Sequence, residues 1–593
     1  MMRVADYIIE RIYEEGAKHI FMVTGRGILY LSDAVAKNRN ITPVSVHHEQ
    51  SAAYAAVAYA QYNEEIGACL VSTGCASTNA VTGVLNAWQD GIPCIFISGQ
   101  NKLYETVRYT GTNIRTFGSQ ETDIIPIIKP LTKYCTMIDN PKSIAYEMDK
   151  ALYFAKSGRK GPVWIDIPVD VQNMRVELEE LQRYIPDDII FNPNTEDIQY
   201  VMEELKKANR PVILIGSGIR SANAVSEFKK FIEEYPFPVT FACSAVDTYG
   251  VDYELSVGAV GSIGGTRAGN FTVQNSDLLL VLGCRLSPMT TGAEYEKFAR
   301  TAKIIVVDID KTEHSKNTVR IDRLVMSDVK EFLAQLKNED IKCAGKEWIE
   351  KCIHWKTIFP RCEEKYRTSE KIDLYYLADC LSRVMADDSV LLSDAGLEEI
   401  IIPSTVSFKD GQRCIHPVSQ GSMGFALPAS IGAYYASKHP VTSVIGDGSI
   451  MMNLQELQTI KYYDIPVRVL IINNNVYSVI RTRQKDIFRT RTIGTDDTNG
   501  VSCPSFRKVA DCFNIPYMII DKKDELEDKL NDLFSIDGPI ICELICDEYQ
   551  EYIHNSYAFN SQRRMVNRSL EDQAPFINRD LFLKEMIIDP IDQ

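Results

Sequence analysis

The sequence predicts an α/β protein of three doubly wound parallel-sheet domains, and three observations lead there. Short apolar runs at residues 69–72, 94–97 and 163–166 alternate with longer helical stretches, as strands covered on both faces by helices do. The alternation restarts at Val212-Ile213-Leu214-Ile215-Gly216-Ser217-Gly218, after a polar, Pro-containing stretch at residues 185–194 that reads as a domain boundary. A second interruption, between about residues 335 and 370, is helical, charged and poor in strands, as a connector would be.

A chain of 593 residues exceeds what one core usually organises, so several domains are required. Hydrophobic residues make up 45%, enough to pack a core in each. Sixty-four Lys and Arg against 80 Asp and Glu give a net charge of −16, which repels a phosphate backbone and argues against a nucleic-acid partner. No apolar run approaches the roughly 20 residues that cross a bilayer, so no membrane partner is expected. The N-terminus enters a helical pattern at once (Val4, Ile8, Ile9, Ile12) without a signal-peptide profile, which makes the cytoplasm the expected compartment. Fifteen Cys, an odd number with no C-x-x-C pair, read as reduced, mostly buried residues. The close pair Cys542 and Cys546 has no His neighbour to complete a zinc site.

Taken in order, an extended segment at residues 42–47 turns at Glu49 into an Ala-rich helix over residues 51–61; a carboxylate there complements the helix N-terminus. Trp88-Gln89-Asp90-Gly91-Ile92-Pro93 ends a helix and feeds a buried strand, and Lys461-Tyr462-Tyr463-Asp464-Ile465-Pro466 repeats that pattern. Two related α/β domains would produce this, although such turns are common in any α/β protein. Gly216-x-Gly218 after a strand suggests a dinucleotide turn, but Ser221 replaces the third glycine.

The strongest chemical signal is Val444-Ile445-Gly446-Asp447-Gly448-Ser449, then a predicted helix, a strand over residues 467–472 and Asn473-Asn474-Asn475. In a parallel sheet the carboxyl ends of neighbouring strands lie side by side, so Asp447 and Asn474 can converge on one ion. Their oxygens, with the backbone carbonyl of Val476, suit Mg²⁺, which takes few protein ligands and completes its octahedron with phosphate oxygens and water. A helix beginning near Ser449 would present free amides to a diphosphate, and Gly446 and Gly448 permit close backbone approach. Alone, Gly-Asp-Gly is an ordinary turn; the Asn triplet at this distance reverses that reading. No P-loop sequence competes.

Gly-Asp-Gly-Ser followed by Asn-Asn resembles the thiamine diphosphate signature of the acetolactate synthase-like family. The resemblance extends over nearly the whole chain: His48-Glu49-Gln50-Ser51-Ala52-Ala53, Gly118-Ser119-Gln120-Glu121-Thr122-Asp123, Gly161-Pro162-Val163-Trp164-Ile165-Asp166-Ile167-Pro168, Val307-Asp308-Ile309-Asp310 and Gly421-Ser422-Met423-Gly424-Phe425-Ala426-Leu427-Pro428 follow in order. It implies a pyrimidine-binding domain over residues 1–180, a middle domain over 190–340, a diphosphate-binding domain over 370–555 and a tail over 556–593. It also implies thiamine diphosphate and Mg²⁺ as cofactors and a homodimer or homotetramer in which Glu49 and the Asp447 site come from different subunits. In such a family Glu49 would hydrogen-bond the aminopyrimidine ring, Met423 would wedge beneath the cofactor and force its bend, and Gln120 would lie near the reacting groups. Arg159, Gly216, Gly218, Arg285 and Asp308 match flavin-contacting positions, while Met289 stands where flavin-binding members usually carry a second Arg. The resemblance leaves the middle domain open to FAD or to nothing.

The implied reaction is decarboxylation of a 2-oxo acid, pyruvate first, with acyl transfer to a carbonyl acceptor. The alternatives are a carboligase acting on a polar or phosphorylated keto sugar, a plain decarboxylase, and a non-catalytic binding relative, against which the retained Glu49, Asp447 and Asn474 argue. Arg483 takes the place of a family Trp that lines an apolar acceptor pocket, and its planar fork suits a carboxylate or phosphate. Read alone, Arg483 points to solvent beside Arg481.

Overall fold

The computed structural model describes residues 1–187, 191–250, 253–337 and 339–591, so residues 188–190 of the predicted boundary lie outside the described residues. Eighteen strands form three six-stranded sheets, all parallel. The first contains β1 (His19–Met22), β2 (Thr42–Ser45), β3 (Gly67–Val71), β4 (Cys94–Gln100), β5 (Tyr134–Met137) and β6 (Pro162–Pro168), in the order β2-β1-β3-β4-β6-β5. The second contains β7 (Pro211–Ile215), β8 (Val239–Phe241), β9 (Ser256–Ala259), β10 (Leu278–Leu282), β11 (Lys303–Asp308) and β12 (Arg323–Met326), in the order β9-β8-β7-β10-β11-β12. The third contains β13 (Val390–Ser393), β14 (Arg413–Ile415), β15 (Val441–Gly446), β16 (Val467–Asn473), β17 (Tyr517–Ile520) and β18 (Ile540–Ile545), in the order β14-β13-β15-β16-β18-β17. The central strands of each sheet are apolar and buried on both faces, which is why their sequences read as apolar runs rather than alternations.

The first and third sheets share one strand order, and the repeat around Ile92-Pro93 and Ile465-Pro466 is part of it. Gly91 and Asp464 occupy the same place before Ile-Pro and both take left-handed backbone, at φ 70° and 50°. The middle sheet has the order of a dinucleotide-binding fold instead, with its switch point between β7 and β10.

The outer two domains meet through α1 (Glu49–Asn63), whose Ala-rich length is buried on every side, and α2 (Ala426–Ser437). A Cβ on Gly432 would lie 1.9 Å from the Ala55 carbonyl oxygen, so this crossing requires glycine. The region expected to be a connector is helical over Lys346–Ile358, but Trp348, Cys352 and Trp355 are buried there, so it packs as part of the middle core. The tail forms a hairpin, Tyr557–Phe559 with Met565–Asn567, and a helix, Arg579–Glu585, and straps the middle domain: Arg267 donates to the carbonyls of Gln573 and Pro575. Among the described residues no helix is long and apolar enough to cross a membrane, and all fifteen Cys are free thiols.

Candidate active site

The carboxyl edge of the third sheet carries the Asp447 cluster. β15 lies directly beside β16, with Gly446 opposite Ile472, and the Asp447 amide donates to the Ile472 carbonyl at 3.0 Å. Asp447 Oδ1 accepts from the Gly448 amide at 2.6 Å, and Oδ2 accepts from the amides of Asn474 at 3.1 Å and Asn475 at 2.7 Å. Asn475 is left-handed, φ 55°, which turns two successive amides toward the carboxylate. The Asn474 side chain is fixed at both ends, its Oδ1 accepting from the Val476 amide at 3.2 Å and its Nδ2 donating to Ser478 Oγ at 3.0 Å. A cavity of about 120 Å³ opens beside Asp447, lined by Asn475, Val476, Tyr477, Thr495 and Cys503.

Burial pushes Asp447 up to about 6 although three backbone amides oppose the shift. Burial pushes the neighbouring Glu398 up to about 8, with the charges of Asp394 and Asp447 adding to it. Among the described residues no Lys, Arg or His side chain bonds to Asp394, Glu398 or Asp447, so the negative charge there has no protein counterion. No group of three or more His, Cys, Asp or Glu side chains is arranged to hold a metal among the described residues. A single carboxylate with an amide oxygen and a backbone carbonyl is instead the sparse oxygen set that Mg²⁺ accepts when phosphate supplies the remainder, so the residues fit such an ion.

One expectation is corrected. The helix predicted to start near Ser449 is a single 3-10 turn, Ile450–Met452, and the regular helix begins at Glu456. Asn453 interrupts it: its buried side chain donates to the Gly424 carbonyl at 2.9 Å and to Gln50 Oε1 at 3.2 Å and accepts from Ser51 Oγ at 3.2 Å, linking three segments instead of continuing the helix. The Gly448 amide, already bonded to Asp447 Oδ1, and the Ser449 amide therefore belong to a turn and not to a helix dipole. Gly448 has no room for a side chain, since a Cβ would lie 1.8 Å from the Tyr477 ring.

Met423 is half-buried on the turn that leads into α2, not sunk in the core. Asp394, just past the end of β13, holds that turn, accepting from the amides of Gly424 at 3.0 Å and Ala426 at 2.8 Å. Sequence reasoning missed Asp394, although Ser393-Asp394-Ala395-Gly396 after an apolar run is a weaker copy of the Gly-Asp-Gly signal.

Glu49 opens α1 and is half-buried; it accepts from Asn79 Nδ2 at 2.9 Å, a partner the sequence did not suggest. Gln120 is exposed and left-handed, φ 63°, with its carbonyl oxygen pressed against Gly74, where a Cβ would lie 1.9 Å away. Glu49 and Gln120 thus belong to the carboxyl edge of the first sheet. Among the described residues no hydrogen bond joins either to the Asp447 cluster.

The middle domain holds a cavity of about 460 Å³ outside the switch point, lined by Arg159, Gly218, Arg285, Met289 and Asp308. Gly216 is packed against Gly283 and Cys284 rather than lining it. Arg159 is engaged by Asp310 at 3.1 Å and Glu313 at 2.7 Å, and Asp308 by His314 at 3.1 Å. Arg483 is exposed on the helix Ser478–Phe488, and Arg481 is buried and donates to the Glu548 carbonyl at 2.9 Å, so the two do not form a solvated pair.

Comparison with known proteins agrees with this arrangement. Three family models match in succession: the N-terminal TPP binding domain of thiamine pyrophosphate enzymes over residues 2–124, their central domain over 198–336 and their C-terminal TPP binding domain over 394–544. The acetolactate synthase large subunit of Haemophilus influenzae is 30% identical over 565 residues, covering 93% of this chain and 95% of its own. The isozyme 2 large subunit of Escherichia coli is 29% identical, covering 93% and 96%. These relatives do not favour a plain decarboxylase, a sugar-acceptor enzyme or a non-catalytic relative. The chain is a thiamine diphosphate-dependent enzyme of the carbon–carbon bond-forming type and belongs to the thiamine pyrophosphate enzyme family, among its acetolactate synthase-like members.

Proposed function

We propose that this protein decarboxylates pyruvate and joins the acetyl unit to the carbonyl of a second 2-oxo acid, as its acetolactate synthase relatives are named for doing. The observation that carries the reading is the uncompensated Asp447 carboxylate beside Asn474, in a chain similar to those synthases along 93% of its length. When bound, thiamine diphosphate would supply a carbon nucleophile and an electron sink for decarboxylation. The residues of this chain bind and orient. Asp447, Asn474 Oδ1 and the Val476 carbonyl would hold Mg²⁺, and the backbone of the turn through Gly446, Gly448 and Ser449 would lie close to the diphosphate. Met423, on its clamped turn, would support the bend of the cofactor, and Gln120 would lie beside the reacting groups. Glu49, oriented by Asn79, would hold the proton-sharing bond to the pyrimidine ring. Arg483 would face the charged end of the acceptor.

The absence of a bond between Glu49 and the Asp447 cluster supports a site completed by a second copy, hence a homodimer or homotetramer. FAD is read as the ligand of the middle-domain cavity. Its half-buried Arg285 guanidinium, without a side-chain bond among the described residues, suits a diphosphate. Free thiols throughout support a cytoplasmic location.

The test is incubation of the purified protein with pyruvate, thiamine diphosphate and Mg²⁺, with products identified by mass spectrometry and the bound chromophore by absorbance. Acetolactate and CO₂ are expected; CO₂ with acetaldehyde alone would overturn the carboligase reading. A colourless protein that binds no added FAD would remove the flavin.

A further inference from the structure

The carboxyl edge of the first sheet carries a cation that nothing above uses. β1 lies between β2, which leads to Glu49, and β3, which leads to Gly74 and the helix Cys75–Asn79. Asn79 of that helix donates to Glu49 at 2.9 Å. The turn after β1, Gly25-Arg26-Gly27, therefore lies between the two segments that build the Glu49 site.

This turn is held rigidly. The Gly27 amide donates to Ser72 Oγ at 3.1 Å, and the Gly27 carbonyl accepts from Gln172 Nε2 at 2.6 Å. A Cβ on Gly25 would lie 2.4 Å from Ser72 Oγ, and one on Gly27 would lie 1.9 Å from Thr73 Oγ1. Gly99 closes on the same carbonyl from beneath, with its Cβ position 2.0 Å from the Gly27 oxygen. Both glycines are thus locked to the sheet while the residue between them is exposed. Among the described residues the Arg26 guanidinium has no ion pair or hydrogen bond. Of the other arginines up to residue 180, Arg3, Arg11, Arg108 and Arg159 hold carboxylates. In a chain of net charge −16, an unpaired guanidinium carried on a pinned turn at the ligand-binding edge of a parallel sheet is placed for an anion that arrives from solution.

We propose that Arg26 recognises the carboxylate of the acceptor 2-oxo acid and so determines acceptor specificity. This rests on the carboligase reading, in which Glu49 marks the pyrimidine side of the cofactor. A planar guanidinium takes a carboxylate with two parallel bonds. A neutral carbonyl acceptor makes neither bond.

The experiment measures product formation from pyruvate with three acceptors, 2-oxobutyrate, a keto sugar phosphate and benzaldehyde, in the holoenzyme and in Arg26→Gln and Arg26→Lys. CO₂ release is followed alongside. Loss of a charge-assisted pair corresponds to a rise of roughly 10- to 100-fold in the acceptor KM for Arg26→Gln. That rise is expected for 2-oxobutyrate, with a smaller one for Arg26→Lys and none for benzaldehyde or for the donor KM. A preference for the sugar phosphate over 2-oxobutyrate overturns the carboxylate assignment. An unchanged anionic-acceptor KM overturns the inference alone, as does a rise in the donor KM, which would move Arg26 to the pyruvate carboxylate. Absence of CO₂ release from any 2-oxo acid in the holoenzyme overturns the carboligase reading and the inference with it.

Discussion

Asp394 accepts a hydrogen bond from the amide of Gly424 at 3.0 Å, so the turn that carries Met423 is anchored to the strand end beside the Asp447 cluster. Asp394 is fully buried, and burial pushes it up to about 6 against the amides of Ala426, Gly424 and Ala395. Asp394→Ala is expected to leave three buried amides unpaired and to destabilise the protein by about 2–4 kcal/mol. Asp394→Asn should retain most of the fold and weaken cofactor affinity through the loosened turn. Denaturant titration and calorimetric titration with thiamine diphosphate separate the two effects. Equal stability of Asp394→Ala and the parent would show that the turn holds itself.

Asp447→Ala is expected to raise the dissociation constant of Mg²⁺-dependent cofactor binding by at least roughly 100-fold, because it removes the only carboxylate in the ligand set. Calorimetry in the presence and absence of Mg²⁺ checks it. Equal affinities would place the ion elsewhere.

Glu49→Gln should leave cofactor affinity nearly intact and slow proton exchange at the cofactor's reactive carbon by about 10²- to 10⁴-fold, since an amide cannot share a proton as a carboxylate does. Asn79→Ala should slow the same exchange by a smaller factor through loss of the 2.9 Å bond that orients Glu49. NMR of the exchanging proton is the measurement. An unchanged rate in Glu49→Gln removes Glu49 from the role.

Asp166 offers a test of stability against pH remote from the Asp447 cluster. It is fully buried, accepts from Ser98 Oγ at 2.5 Å and Gln100 Nε2 at 3.3 Å, and burial pushes it up to about 7. Its folded value lies above its unfolded one, so proton binding favours the folded state. That contribution is complete below about pH 4 and is lost as pH rises to 7. Asp166→Asn cannot ionise and should gain on the parent by on the order of 2 kcal/mol between pH 5 and pH 8, as read from Tm. Reversal of the Gln100 contact changes the offset, not the slope. A pH-independent difference would mean that Asp166 stays charged in the folded protein.

The parts of this site that could be read from the sequence are those whose partners are set by strand ends. Asp447 and Asn474 sit on adjacent parallel strands, so motif and spacing sufficed to bring them together. Asp394 and Met423 belong to segments whose proximity depends on β13 lying next to β15, which no local pattern announces. Asn79 likewise meets Glu49 only because β1 separates β2 from β3. The helix expected at Ser449 failed for a related reason: Asn453 takes its partners from α1 and from the Met423 turn, and three tertiary bonds outweigh the helical preference of its neighbours. Gly91 and Asp464 show the opposite case, a faint repeat that marked a shared strand order.

Gly448 gives the sharpest steric test of the Asp447 turn. Its backbone is not left-handed, so any cost of a side chain comes from contact and not from conformation. A Cβ there would lie 1.8 Å from Tyr477 Cε1 and 2.8 Å from the hydroxyl oxygen, closer than any packed pair allows. The Tyr477 ring lines the cavity beside Asp447, and its amide is tied to the Thr495 carbonyl at 2.8 Å, so the backbone cannot simply retreat. Gly448→Ala should therefore displace either the ring or the Asp447 turn and weaken Mg²⁺-dependent cofactor binding by roughly tenfold or more. If the ring is the obstacle, Tyr477→Ala in the same chain should restore most of the affinity, whereas Tyr477→Phe should not, because the clashing carbon remains. Calorimetric titration of the four proteins decides it. Full affinity in Gly448→Ala alone would mean that the ring swings aside freely and sets no limit on the turn.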